Sequence, residues 1–217
     1  MQTNRSIPHQ LTRHAGQAPP RELDLASMPF RVAPQHRAEV EVLLREELVR
    51  PVLGDAVVAI DVPDDGLCRA LTAGLFVPHS ARERWVVAFR AAAWVLLGEA
   101  GAPGAELPGL PGSIDVIVGA GERRPADAGV TGRQVALGAG ETTVVHGLRL
   151  THAVRTAADL ARDLPADQAQ SWLVQLGRHC GVRPAQVLRQ LSRMRYARGS
   201  ARARPVVRAW EELENPW

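Results

Sequence analysis

Between Asp167 and Glu211 the chain carries no acidic residue, yet this stretch holds nine arginines: Arg178, Arg183, Arg189, Arg193, Arg195, Arg198, Arg202, Arg204 and Arg208. Like charges without a counter-charge repel one another, so a polyanion or an acidic protein surface is a natural partner. A solvated face with no partner is the bland alternative. Arg189, Arg193, Arg195 and Arg198 lie close on adjacent turns beside Tyr196, which suits contacts to phosphate more than reading of base edges. A second set, Arg37, Arg45 and Arg50, falls on an expected helix and hairpin and could reach phosphates or bases. Glu39, Glu41, Glu46 and Glu47 share that helix and would repel DNA.

Other reactive side chains point away from catalysis. His146, His152 and Asp159 fall within fourteen residues, but without paired carboxylates or metal-ligand spacing. Capping and packing roles are expected for them. Asp159 is spaced for a helical ion pair with Arg155 or Arg162. The two cysteines, Cys68 and Cys180, are too few for a disulfide framework or a four-cysteine zinc site. Gly119-Ala120-Gly121 follows a strand, as a dinucleotide loop would, but Arg123-Arg124-Pro125 comes where a helix must start. A lysine-dependent phosphate loop is impossible, because all 26 basic residues are arginine. No enzyme, metal or cofactor is expected.

The elements that position these residues follow from length and pattern. A chain of 217 residues, 46% apolar and 23% charged, is long enough for one medium domain or two small ones. The apolar run Trp85 to Leu97 spans thirteen residues and contains Arg90, well short of the roughly 20 residues a bilayer span needs. With no signal-peptide pattern at Met1 to Gln17, a cytoplasmic protein is expected. Residues 1–28 read as a mobile tail, 29–99 as an N-terminal unit and 113–217 as a C-terminal one, joined by the Gly/Pro-rich stretch 100–112.

Arg37 to Leu48 has helical periodicity, with Val40, Leu43, Leu44 and Leu48 on one face. Strands flanking Gly54-Asp55 make a hairpin, and a helix running straight into a hairpin is the skeleton of a winged-helix module. Ile114 to Val118, Arg133 to Leu137 and Thr142 to Val145 read as strands. Helices are expected from an N-cap at Thr151, from Asp167, from Pro184 and from Ser200. The fold class is therefore α+β: a winged-helix-like unit followed by a small sheet with several helices.

The run His146 to Arg162 resembles the C-terminal signature of the AbiEi-type antitoxins, transcriptional regulators of type IV toxin–antitoxin systems. The positions carrying it are Gly147, Thr151, Arg155, Thr156, Asp159, Leu160, Ala161 and Arg162. Leu48 to Asp61 is similar to that family's wing, and Ala91 to Gly98 to its Ala-Ala-Trp helix. The wing here lacks the family's aromatic residue. The resemblance implies a non-enzymatic protein that neutralises a nucleotidyltransferase-like toxin and represses its own promoter by binding DNA. It also implies a structural role for Thr151, Arg155, Thr156, Asp159 and Arg162. A protein-binding antitoxin whose N-terminal module no longer reads DNA is the alternative.

Overall fold

Two apolar strands around a Gly-Asp turn cannot bury themselves alone, and the computed structural model shows what they recruit. It describes residues 28–100, 112–122, 125–127, 129–194 and 198–214. The expected tail and the 100–112 stretch lie almost wholly outside these, as does Arg195. Strand β1 (Phe30–Arg31) is followed by a 3₁₀ turn and helix α1 (Arg37–Arg45), then β2 (Val49–Leu53) and β3 (Ala56–Ala59). The three strands form an antiparallel sheet in the order β1-β3-β2. Helix α1 is shorter than its periodicity predicts. The N–H of Leu48 reaches the carbonyl of Leu43 and that of Glu47 the carbonyl of Leu44, with Glu47 at φ +54°. This is the Schellman arrangement that satisfies terminal carbonyls. It carries Leu48 off the helical face into solvent, 55% exposed.

A second sheet has the order β6-β5-β4-β8-β7. Its strands are β4 (Val86–Val87), β5 (Ile114–Val118), β6 (Val130–Gln134), β7 (Thr142–Val145) and β8 (Leu148–Thr151). Pairing is parallel for β5–β6 and β4–β8 and antiparallel for β4–β5 and β7–β8. The helices are α2 (Gly66–Gly74), α3 (Phe89–Glu99), α4 (Ala153–Asp163), α5 (Ala166–Cys180), α6 (Pro184–Arg193) and α7 (Ser200–Glu214). The protein is thus an α+β molecule.

Strand alternation divides the core. Ile114, Val116 and Val118 of β5 face a cluster that includes Val52, Phe76 and Trp94. Ile117 joins the opposite cluster, with Leu160, Trp172, Leu191 and Trp210 from α4 to α7. Helix α3 feeds both clusters, through Trp94 and Val95 on one side and Ala93 and Leu97 on the other. The core therefore runs across the 100–112 stretch, and segments 29–99 and 113–217 share it.

Several local expectations shift. The apolar run at 85–97 splits, because Val86 and Val87 enter the middle of the sheet before Phe89, at φ +52°, turns the chain into α3. Thr151 ends β8 rather than capping α4, and the cap is His152. The strand expected at 133–137 lies at 130–134, and β8 escapes the pattern because only two of its four residues are aliphatic. Helix α5 opens at Ala166 behind Pro165 and ends, as expected, at Gly181 with φ +66°. Pro184 occupies the first turn of α6, with the Gln186 side chain accepting from the Arg183 N–H at 2.8 Å.

Candidate functional site

The residues that carry the resemblance converge on the start of α4. Arg155 and Asp159, one turn apart, are both buried, and the Arg155 Nε donates to Asp159 Oδ2 at 2.8 Å. Arg162 donates to the other oxygen at 2.9 Å. Glu141, just before β7, accepts from the Arg155 guanidinium, from the Gln190 amide of α6 and from the backbone N–H of Gly138. The Thr151 and Thr156 hydroxyls lie 2.7 Å apart, and the Thr156 hydroxyl also bonds the Thr151 carbonyl at 3.0 Å. His152 Nδ1 accepts from the Arg155 N–H at 3.1 Å.

These bonds tie the end of β8, the β6–β7 connection, α4 and α6 into one buried polar cluster. Burial pushes the Asp159 carboxyl above its usual value, against the pull of Arg155 and Arg162. For Glu141 burial acts upward too, but the Gly138, Gln190 and Arg155 donors outweigh it and hold the carboxyl low. Stranding one member of such a cluster costs about 3–5 kcal/mol. Its geometry is that of a clamp. Each Asp159 oxygen accepts from one arginine, Oδ2 from Arg155 and Oδ1 from Arg162.

Beside the clamp lies an open cleft of about 580 Å³ between β6, the C-terminal half of α4 and the approach to α7. Its lining contains Arg133, Arg162, Arg198 and Arg202 against Asp159 and Asp163. Arg133 bonds Asp163 at 2.6 Å and the buried Asp115 at 3.3 Å, and its guanidinium lies 4.3 Å over the Phe89 ring. Arg162 donates twice to the Arg198 carbonyl, and Arg202 donates to the Arg162 carbonyl at 2.6 Å. Gly199, at φ +84°, allows this approach, since a Cβ there would sit 2.6 Å from the Arg162 carbonyl oxygen.

The arginines expected to meet DNA fall into two unlike groups. Arg178, Arg183, Arg189, Arg193, Arg198, Arg202 and Arg208 are exposed and Arg204 half-buried, on the end of α5, on α6 and α7, and at the residues leading into them. Arg189 and Arg193 are one turn apart on α6, and Arg204 reaches across from α7 to the Ser192 hydroxyl at 3.2 Å. Arg37 and Arg45 are exposed at the two ends of α1. Arg50 is half-buried on β2 and is tied to the Val62 carbonyl at 3.0 Å, so its guanidinium spans the hairpin. Between residues 37 and 47, α1 and its C-terminal turn set two arginines against four glutamates.

Sequence reasoning did not single out Glu141, Gln190, Arg133 or Phe89, whose partners lie far away along the chain. Arg69 is another such residue, 1% exposed, bonded to Asp64 at 2.7 Å and to the Trp94 carbonyl at 3.0 Å. An arginine inside an otherwise apolar helix such as α2 is the one signal that marks it. Among the described residues no cluster of His, Cys, Asp and Glu is arranged to hold a metal ion, and no helix is long and apolar enough to cross a membrane. The sequence matches no protein-family profile and no curated protein.

Proposed function

We propose that this chain is an AbiEi-type antitoxin that neutralises a nucleotidyltransferase-like toxin and represses its own promoter by binding DNA, without enzymatic activity of its own. The observation that carries the DNA reading is the run of arginines through the end of α5, α6 and most of α7, unbroken in sequence by any acidic residue. Its exposed arginines offer a duplex a run of phosphate contacts with no carboxylate between Asp167 and Glu211 to oppose them. The sheet order β1-β3-β2, with α1 leading into the β2–β3 hairpin, supports a winged-helix-like module that would supply register on the duplex. The signature residues of the resemblance act as the clamp at the start of α4.

A duplex from upstream of the gene and a scrambled one, compared by fluorescence anisotropy at several salt concentrations, test this reading. The expected result is a preference of at least about 10³-fold that survives physiological salt. Replacing Arg189 and Arg193 by serine weakens both duplexes alike and flattens the salt slope by about 2, one per lost phosphate contact. Equal binding of the two duplexes that fades with salt overturns promoter reading.

The glutamates of α1 favour a second reading, a protein-binding antitoxin whose N-terminal module does not read DNA. In that case Arg37→Ser with Arg45→Ser leaves toxin neutralisation in co-expressing cells intact, and the whole chain co-purifies with the toxin.

A further inference from the structure

The cleft between β6, α4 and α7 shares Arg198 and Arg202 with the face offered to DNA, and its charges are unevenly satisfied. Asp159 is consumed by Arg155 and Arg162, and Asp163 by Arg133. Arg198 and Arg202, at the mouth, have no ion-pair partner among the described residues. The volume of about 580 Å³ lies within the roughly 300–1,000 Å³ of small-molecule sites. One wall is Arg133, a planar cation held over the Phe89 ring and paired with Asp115 and Asp163. Planar guanidinium faces stack nucleobases, and exposed guanidiniums grip phosphate with paired donors. Phe89 itself adopts a left-handed backbone conformation, φ +52°, that is strained for a non-glycine residue, and such strain gathers at ligand clamps.

We propose that this cleft binds a free nucleoside phosphate, its phosphate on Arg198 and Arg202 and its base against the guanidinium plane of Arg133. The site is separate from the Gly119–Gly121 turn, which is closed by the Glu122 N–H on the Gly119 carbonyl and by Glu122 on Arg84. Arg198 and Arg202 also belong to the face offered to DNA, so the test contrasts them with Arg189 and Arg193, which lie outside the cleft.

Isothermal titration of the whole protein with nucleoside mono-, di- and triphosphates, inorganic phosphate, a bare nucleoside and a 5′-phosphorylated single strand decides the matter. The expected result is saturable binding of a nucleoside phosphate at least tenfold tighter than inorganic phosphate or the nucleoside. Arg198→Ser with Arg202→Ser, both exposed and so compatible with folding, lowers that affinity at least tenfold. Arg189→Ser with Arg193→Ser changes it less than twofold. Three results overturn the assignment: no binding of any nucleoside phosphate, inorganic phosphate binding as tightly, or binding of the strand alone. An equal loss in both double variants does the same, because it reduces the cleft to a general basic face.

Discussion

His152 shows how a single side chain can be both structural and titratable. Its ring nitrogen replaces the usual serine or aspartate at the head of α4, accepting the Arg155 N–H. Burial, with the nearby Arg155 charge, holds its pKa below 6.5. In that window the unfolded chain binds the proton more readily than the folded one. The contribution is therefore complete above about pH 6.5 and lost as pH falls through the lowered folded value. Melting curves from pH 8 to 5 should show the wild type losing more stability than His152→Asn, which keeps an acceptor that does not titrate. A cap is worth about 1 kcal/mol, so the two curves diverge by a few degrees; parallel curves would refute the role. At this scale the sequence was partly legible. The helical spacing of Arg155, Asp159 and Arg162 foretold their ion pairs, whereas Glu141 meets Arg155, and Gln190 meets Glu141, only through tertiary packing.

At the level of elements, α2 and α3 cross at a contact that only glycine permits. A Cβ on Gly66 would stand 2.5 Å from the Glu99 Cα, and one on Gly98 2.6 Å from the Arg69 Cδ. At Gly66 the obstacle is backbone, which cannot rotate aside. Gly66→Ala should therefore cost about 1–3 kcal/mol, the usual range for overpacking, and lower the melting temperature. Gly74→Ala, on the same helix with nothing within 4 Å, should be neutral or slightly stabilising. A thermal scan of both variants separates close approach from helix propensity, and equal effects would contradict it. Periodicity revealed that the helices α1, α5, α6 and α7 exist, because an amphipathic face repeats visibly. The two-residue β4 was hidden, since its valines merge with the apolar start of α3. The end of α1 was hidden as well, because its Schellman stop falls on a glutamate where glycine is the usual sign.

For the molecule as a whole, composition foretold the α+β class, while the Gly/Pro-rich stretch 100–112 suggested a boundary that the core ignores. Loop chemistry reports where the chain turns, not which side chains it later buries together. Strand β4 precedes that stretch, yet it pairs β5 on one edge and β8 on the other, both of which follow it. A fragment of residues 113–217 lacks β4 and α3, so its sheet falls into two unconnected strand pairs. It should show no cooperative melt by circular dichroism, while the full chain unfolds in one transition. A fragment melting as sharply as the parent would mean that the two sides are independent after all. The central position of β4 also orders events on the ribosome. The β1-β3-β2 sheet is complete once Ala59 has emerged, but Val87 waits 63 residues for Leu150. At about 5–20 residues per second, that is roughly 3–13 s during which the nascent chain holds an apolar strand with at least one edge unmatched, a window in which a chaperone would find its grip.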